Sequence, residues 1–417
     1  MHTFPHGFYF GASTSSHQVE GGNENDWTDW ERENANRLAR ESRKSRFSGF
    51  WPEKVKNSKP SPVERENYIS GRAADHYHKF KEDFDLAREL GHNAHRLSLE
   101  WSRIEPEEGV FAEHEIRHYR EVFSELRARN IEPFVTLWHW TLPLWLSTKG
   151  GWISSSAPRY FARYAERMIR AFPDVKFWIT INEPEVWASH AYLGGNWPPQ
   201  KKNPALYLLA LAHLVSGHRQ AYGAIKKVNP ETLVGIAKHN IYFESYSDSM
   251  WNNFLKSLAN WWWNEWFLNR IKNTQDFIGL NHYFHSRISG WFGKNENKEV
   301  SDLGWELYPE GIRHVLSDLA KYEKPVYITE NGLADSDDTK RAWFIEKTLE
   351  NIALAIEEGS DVRGYLHWSL IDNFEWDKGF WPRFGLIEVD YQTLARSPRN
   401  SAISYRDLIR KYTKTKK

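Results

Sequence analysis

Residues 326–332 read Val-Tyr-Ile-Thr-Glu-Asn-Gly, an apolar run that ends in a carboxylate, an amide and a glycine. Its β-branched and aromatic residues predict a strand that is buried on both faces, as in a parallel sheet. Residues 176–184 read Lys-Phe-Trp-Ile-Thr-Ile-Asn-Glu-Pro and repeat this order of residue types. One carboxylate after a buried strand is as often a helix cap as a catalytic group. Two such strands, ending at Glu183 and Glu330, indicate carboxylates that converge on one pocket.

Eight apolar runs of this kind alternate with amphipathic segments along the 417 residues. The predicted strands are Phe8–Ala12, Asn93–Leu99, Glu132–Trp138, Lys176–Ile181, Leu233–Ala237, Asp276–Leu280, Val326–Thr329 and Gly364–Ser369. Helical spacing of apolar residues predicts helices at Tyr77–Leu90, Ile116–Arg129, Pro158–Ala171, Pro204–Val228, Pro309–Tyr322 and Ala342–Glu358. This alternation predicts an α/β fold, a single (β/α)₈ barrel (TIM barrel) that forms one catalytic domain over residues 1–417. A doubly wound open sheet is the alternative, although no Gly-x-Gly-x-x-Gly sequence follows the first run.

The composition argues against several classes of protein. The 55 basic and 55 acidic residues give a formal net charge of zero, which predicts no nucleic-acid partner. The chain has no cysteine and therefore no disulfide, thiolate metal site or cysteine nucleophile. No run approaches the roughly 20 apolar residues of a membrane span. The first five residues lack the basic and apolar regions of a signal peptide, so we predict a cytoplasmic protein.

Polar and aromatic side chains follow each predicted strand. In a (β/α)₈ barrel the active site lies at the C-terminal ends of the strands. One His or Arg there would more often be structural, but eight such ends together indicate a functional site. The residues at these ends are Gln18, Arg96, His139, Asn182, Glu183, His239, Asn281, Tyr283, Glu330, Trp368, Glu375 and Trp376.

Two glutamates among aromatic, amide and guanidinium groups, without a metal or cofactor motif, fit glycoside hydrolysis. One carboxylic acid protonates the leaving oxygen, and the other carboxylate attacks the anomeric carbon or activates water. The two roles require different pKa values. Arg96, if close to Glu330, would keep that carboxylate ionised, and Tyr283 could donate a hydrogen bond to it. Glu183, if further from cations, would keep its proton near neutral pH.

Six short motifs occur in order along the chain, at residues 10–21, 75–78, 96–103, 180–184, 328–332 and 368–376. In their order and spacing they resemble glycoside hydrolase family 1, the β-glucosidase and β-glycosidase family, nearly from end to end. The resemblance implies a (β/α)₈ barrel and a retaining double displacement that needs no metal and no cofactor.

The resemblance also implies a role for each residue of the predicted site. It implies Glu183 as the acid/base and Glu330 as the nucleophile. The residues that it implies around the glycone are Gln18, His139, Asn182, Trp368, Glu375 and Trp376. Those that it implies around the nucleophile are Arg96, Asn281 and Tyr283.

The implied reaction is hydrolysis of terminal non-reducing β-D-glucosyl residues from β-glucosides or cello-oligosaccharides, with galactosyl and fucosyl residues as further candidates. The expected partner is therefore a small glycoside. A transglycosylase on the same site and a non-catalytic sugar-binding barrel are the alternatives. The two intact glutamates disfavour the second, because a binding protein has no need of a nucleophile that faces an acid.

The aglycone side and the surface loops are less determined by the sequence. The candidates for aglycone contact, each weighed equally against ordinary core packing, are Trp187, His190, Trp291 and Trp305. The triplet at residues 261–263 is predicted to pack between helices, with an aglycone wall or a homo-oligomer contact as alternatives. The polar segment Ala35–Asn67 is predicted to be a long loop over the cleft. Thr141 and His282 stand where relatives often have Asp and Tyr, so local bonding there is expected to differ.

The sequence predicts that the substrate carries no phosphate. Glu375 would repel a phosphorylated sugar, and the 6-phospho-β-glycosidase branch, by resemblance, has a small residue there with a Lys and a Tyr downstream. Here Pro382 and Phe384 stand at the downstream positions. We expect kcat/KM for a β-glucoside to exceed that for its 6-phosphorylated form in paired assays. A strong preference for the phosphorylated substrate would contradict this prediction.

Overall fold

The computed structural model describes residues 4–44, 51–290 and 292–413 of the chain. The aglycone candidate Trp291, and the first three residues on which the signal-peptide prediction partly rests, lie outside the described residues. Eight parallel strands form a closed barrel. They are β1 (Tyr9–Ser13), β2 (Ala94–Ser98), β3 (Glu132–Trp138), β4 (Phe177–Asn182), β5 (Leu233–His239), β6 (Phe277–Asn281), β7 (Val326–Asn331) and β8 (Val362–Trp368).

Each barrel strand pairs with its neighbours in chain order, and β8 pairs with β1 through the register Gly11–Leu366. The predicted (β/α)₈ barrel is confirmed, and the open doubly wound sheet is wrong because the sheet has no free edge. The predicted strands differ from the observed ones by at most two residues at either end. The apolar runs were therefore sufficient to locate all eight strands.

Helices cover the outside of the barrel and connect its strands. The α-helices are Ser16–Val19, Asp26–Ser42, Glu53–Lys56, His76–Glu89, Trp101–Ile104, Glu113–Ala128, Leu144–Thr148, Ala157–Ala171, Pro184–Ser189, Pro204–Val228, Met250–Asn260, Trp266–Ile271, Gly311–Leu319, Arg341–Glu357 and Asn400–Thr413. Shorter 3₁₀ or π turns lie at Arg65–Tyr68, Gly151–Ile153, His190–Gly194, Trp261–Glu265, Ala320–Tyr322 and Trp376–Lys378. In the part of the chain that the structure describes, no helix is both long enough and apolar enough to cross a membrane.

The long loop predicted at Ala35–Asn67 is wrong in its first part, because residues up to Ser42 belong to the helix Asp26–Ser42. Asn25 caps this helix by accepting hydrogen bonds from the backbone N–H groups of Trp27 and Thr28, both at 3.0 Å. The hydroxyl of Thr28 accepts one from the Asn25 N–H at 2.9 Å, which completes a capping box. The cap satisfies two of the free N–H groups of the first turn and so stabilises the start of this helix, which extends to Ser42.

Aromatic rings fill the N-terminal half of the barrel interior. Phe134 and Phe177 stack with their ring centroids 4.1 Å apart, and Tyr327 lies 5.3 Å from each of them. Phe277 and Tyr9 complete this layer at 5.3 and 6.2 Å from Tyr327. The layer closes the lower end of the barrel, so the buried polar residues further along the strands are accessible only from the C-terminal end.

Small sheets extend the rim at the C-terminal end. One joins Tyr242–Ser245, His285–Ser289 and Phe292–Gly293, and another joins Ile387–Val389 to Arg396–Pro398. The tryptophan triplet lies in the π turn Trp261–Glu265. This turn follows the helix Met250–Asn260, which packs on the sheet that contains Tyr242–Ser245. Trp262 contacts Tyr207 and Trp266, at centroid distances of 6.2 and 5.5 Å, which is the predicted helix packing for this one residue of the triplet. Trp261 is 45% exposed, and the indole N–H of Trp263 donates to His239.

We expect Phe177→Ala to lower the free energy of unfolding by about 3–5 kcal/mol, because it leaves a cavity in the aromatic layer. Chemical denaturation followed by circular dichroism measures this loss. Phe254→Ala is the matched control, since Phe254 is 56% exposed, and we expect a change of about 0.5 kcal/mol or less. Equal losses in the two variants would show that the layer adds nothing to stability.

Candidate active site

Glu330 lies near the end of β7 with a hydrogen-bond donor on each carboxylate oxygen. Arg96 on β2 forms an ion pair with Oε1, and the hydroxyl of Tyr283 donates to Oε2 at 2.8 Å. Burial raises the pKa of Tyr283 well above its usual value, and the charge of Glu330 raises it further, so the phenol stays a donor. Glu330 is thus held by a guanidinium on one oxygen and by a phenol on the other.

Glu183 follows β4 directly and has a different environment. Its φ of +42° lies in the left-handed region, a costly conformation for a residue with a side chain. Its backbone N–H donates to the carbonyl of Ala237 on β5 at 2.8 Å, which holds this turn against the barrel. Pro184 then begins the next helix at its first position, where a missing N–H is tolerated.

The carboxyl of Glu183 keeps its proton more readily than an ordinary glutamate. Burial raises its pKa well above the usual range, and the charge of Glu330 raises it further. The side-chain amide of Asn281 donates to Oε1 at 2.7 Å and opposes this rise, as do the charges of Arg96 and Lys238. The net direction is upward, so Glu183 holds its proton to a higher pH than an ordinary glutamate does.

One hydrogen-bonded network holds both carboxyl groups. The Asn182 side-chain oxygen accepts from Arg96 at 2.7 Å and from Asn281 at 3.1 Å. Asn281 in turn accepts from the hydroxyl of Thr329 at 2.7 Å. Arg96 also donates to Thr136 at 3.0 Å. Side chains from five different strands are thereby fixed relative to one another.

A third carboxyl group, that of Glu375, lies on the β1–β8 side of the same end. Its Oε2 accepts from the side-chain amides of Gln18 at 3.2 Å and Asn373 at 2.9 Å. Burial raises the pKa of Glu375 to about 8, and the nearby charge of Glu330 contributes to the rise. Its position beside an amide suits it to accept hydrogen bonds from hydroxyl groups.

His139 connects Asn182 with two tryptophan rings. The amide of Asn182 donates to Nε2 of His139 at 3.2 Å. Burial lowers the pKa of His139 well below its usual value, so the ring is neutral and its proton lies on Nδ1. The ring stacks with those of Trp368 and Trp376, each with centroids 6.0 Å away.

These residues surround a cavity of about 270 Å³. The predicted site residues that line it are Gln18, His139, Glu183, Tyr283, Trp305, Glu330, Trp368, Glu375 and Trp376. Three further predicted residues, Arg96, Asn182 and Asn281, are absent from the lining and lie in the hydrogen-bonded network described above. The structure therefore brings nearly all the predicted residues to one end of the barrel.

Two of the described aglycone candidates line the cavity, and one does not. Trp305 and His190 line the cavity. Trp187 does not, and its assignment is corrected, because its ring is buried against Trp138 and Tyr192 at centroid distances of 5.1 and 5.7 Å. The helix Pro184–Ser189 turns this residue toward the layer between barrel and helices. Val186, one position earlier, lines the cavity instead.

Sequence reasoning assigned no role to several other residues of the lining. They are Trp140, Val186, Trp197, His239, Phe284, Leu303, Asp377, Lys378 and Phe384. His239 follows the predicted strand Leu233–Ala237 by two residues, so its position near a strand end indicated a place at the rim. Nothing in the sequence indicated a role for Trp197. It lies in the connection between His190–Gly194 and Pro204–Val228, and its ring stacks on that of His190 with the centroids 4.1 Å apart.

The two departures from the expected motifs make local bonds of their own. The hydroxyl of Thr141 donates to the buried carboxylate of Glu100, at 3.0 and 3.2 Å from its two oxygens. His282 Nδ1 lies 2.9 Å from the backbone carbonyl of Asn240. Burial lowers the pKa of His282 to about 4, so the ring is neutral and Nδ1 donates this bond. Both residues therefore form hydrogen bonds that connect neighbouring segments at the C-terminal end of the barrel.

The chain matches glycosyl hydrolase family 1 over residues 1–273 and 239–414. It belongs to this family. A 1,4-beta-D-glucan glucohydrolase of Thermotoga neapolitana is 31% identical over 98% of this chain and 99% of its own length. Beta-glucosidase A of Thermotoga maritima is 31% identical over 98% of both chains. The resemblance inferred from the motifs is confirmed.

Solved structures of the family have the same fold. A beta-glycosidase from Pyrococcus horikoshii superposes with a TM-score of 0.86 at 35% identity, over 98% of this chain and 96% of the other. A beta-glucosidase from Thermotoga maritima in complex with glucoimidazole gives 0.87 at 28% identity, over 98% and 99%. The family 1 barrel is therefore retained over nearly the full chain.

We expect Glu330→Gln to lower the pKa of Glu183, because the substitution removes the negative charge that disfavours a second one nearby. Carbon-13 NMR of carboxyl-labelled protein measures the titration, with Glu183→Gln identifying the signal. Glu132→Gln removes a carboxyl group from the start of β3 and should leave the pKa unchanged. A pKa of Glu183 that does not fall in Glu330→Gln would mean that the two groups are uncoupled.

Proposed function

We propose that this family 1 β-glycosidase hydrolyses terminal non-reducing β-D-glucosyl residues by double displacement, with Glu330 as nucleophile and Glu183 as acid/base. The observation that carries the proposal is the contrast between the two carboxyl groups. Glu330 has a guanidinium and a phenol on its two oxygens. Glu183 is buried with a raised pKa. Such a pair supplies one nucleophile and one acid at the same pH.

The first step forms a covalent glycosyl-enzyme. An oxygen of Glu330 attacks the anomeric carbon while the bond to the leaving oxygen breaks, and Glu183 gives its proton to that oxygen. The ester that results carries no charge on Glu330. The repulsion that raised the pKa of Glu183 is then absent, so its pKa falls after the first step.

The second step returns the enzyme to its starting state. Glu183, now a carboxylate, takes a proton from water while the water oxygen attacks the anomeric carbon. The ester bond breaks and Glu330 leaves as a carboxylate, again paired with Arg96. Two inversions give net retention, and Glu183 has served as acid and then as base.

The glycone is proposed to lie between Gln18, Glu375, His139 and the rings of Trp368 and Trp376. The carboxyl group of Glu375 with its amide and imidazole neighbours suits several adjacent hydroxyl groups, and indole faces suit the C–H face of a pyranose. Relatives described as a beta-glucosidase and, from Pyrococcus woesei, a beta-galactosidase support glucosyl and galactosyl residues as glycones. The cytoplasmic location and homo-oligomer formation stay predictions.

We expect Glu330→Ala and Glu183→Ala both to lose activity on cellobiose, the latter by about 10²–10⁴-fold because proton transfer is lost. With an aryl β-glucoside, whose leaving group needs little protonation, azide separates the two roles. In Glu330→Ala, azide enters from the face that the carboxylate vacated and gives an α-glycosyl azide. In Glu183→Ala, the glycosyl-enzyme still forms, and azide then gives the β-azide.

Product analysis by NMR distinguishes the two azides, and wild-type enzyme with azide is the control. Near-wild-type turnover by Glu330→Ala would remove the nucleophile assignment. A β-azide from Glu330→Ala, or an α-azide from Glu183→Ala, would mean that the two roles are exchanged.

A further inference from the structure

His239, the last residue of β5, has one satisfied ring nitrogen and one unsatisfied ring nitrogen. Its side chain lines the cavity of the proposed active site and is 3% exposed. Among the residues that the structure describes, Nε2 has no hydrogen-bond partner. A buried polar group without a partner costs free energy, so its presence in a cavity wall points to a ligand.

The proton of this ring is on Nε2. The indole N–H of Trp263 lies 3.1 Å from Nδ1 of His239. An indole nitrogen only donates, so Nδ1 must carry the lone pair. Burial lowers the pKa of His239 well below its usual value, and the charge of Lys238 lowers it further, so the ring is neutral. Nε2–H is therefore a fixed hydrogen-bond donor at the cavity wall.

The π turn Trp261–Glu265 holds Trp263 in place for this contact. Lys238, which precedes His239, donates to the backbone carbonyl of Trp263 at 2.6 Å and to that of His239 at 2.7 Å. The amide of Asn264 donates to the carbonyl of Ile241 at 2.8 Å. These bonds fix the turn to the end of β5 on both sides of the imidazole.

The end of β5 lies across the barrel from the strand that leads to the proposed glycone residues. In the barrel, β5 lies four strands from β1, which leads to Gln18 on the glycone side. His239 is in register with Asn281, whose amide bonds Glu183. The rings of Tyr283 and Phe284 flank the imidazole at centroid distances of 6.3 and 5.4 Å. One polar donor thus lies in a largely aromatic wall.

We propose that His239 Nε2–H donates a hydrogen bond to an oxygen of the leaving group and so selects a sugar over a hydrocarbon aglycone. This inference rests on the proposed function. Trp263 is a positioning residue, because its indole N–H fixes the tautomer that donates. A hydrocarbon aglycone would leave the buried donor unpaired, which is the usual basis of strong discrimination by a polar group.

The test compares cellobiose with hexyl β-D-glucoside, whose leaving groups differ in hydroxyl content. In His239→Leu we expect kcat/KM for cellobiose to fall about 10-fold, because one hydrogen bond to the leaving group is lost. We expect kcat/KM for hexyl glucoside to change less than about 3-fold, because its leaving group does not use this donor. His239→Gln restores a donor and should recover part of the cellobiose activity. Trp263→Phe keeps a ring but loses the N–H, and should raise KM for cellobiose about 3-fold.

Trp262→Phe is the matched control for Trp263→Phe, since Trp262 is a neighbouring packed indole. It should not alter the ratio of kcat/KM for cellobiose to kcat/KM for hexyl glucoside. Thermal melting identifies a variant that fails to fold, and Trp263→Phe then carries the test alone. Equal losses on both substrates, or no loss on cellobiose, would overturn the inference. Loss of the azide products described above would instead overturn the proposed function, independently of the substrate ratio.

Discussion

A single buried guanidinium connects the parts of this active site. Arg96 is fully buried on β2, and it bonds Thr136 on β3, Asn182 on β4 and Glu330 on β7. A buried charge must be paired and hydrogen-bonded, because its desolvation otherwise costs several kcal/mol. The barrel meets this requirement by turning polar residues of several strands toward one point. Because Thr136, Asn182 and Glu330 all bond to Arg96, this one cation holds them in fixed relative positions.

The same requirement explains how two glutamates at one barrel end differ. Arg96 is directly paired with Glu330, while Glu183 receives an amide donor and a more distant cationic charge. The charge of Glu330 raises the pKa of Glu183, and of the two glutamates it is Glu330 that pairs directly with Arg96. The difference between their surroundings therefore arises from the neighbouring strands.

The sequence predicted the strands, and it placed Glu183 and Glu330 at one end of the barrel, since buried parallel strands are nearly continuous apolar runs and both glutamates stand at the ends of such runs. It failed where the result depends on a side chain's direction or on a distant contact. Trp187 and Val186 are adjacent, and only the helix geometry after Pro184 decides which one faces the cavity. The helix Asp26–Ser42 begins at the Asn25 cap. Its second half was predicted to be a loop because the segment is polar. The tautomer of His239 depends on an indole 24 residues later.

The aromatic layer of Phe134, Phe177 and Tyr327 seals one end of the barrel. Within the ranges of the chain that the structure describes, the cavity with the two glutamates therefore opens at the C-terminal end of the barrel. In the proposed reaction, the aglycone lies nearer that opening than the glycone does. It would then leave first, and water would arrive by the route that it vacates. The closed end of the barrel would thus set the order in which the products of the proposed reaction leave.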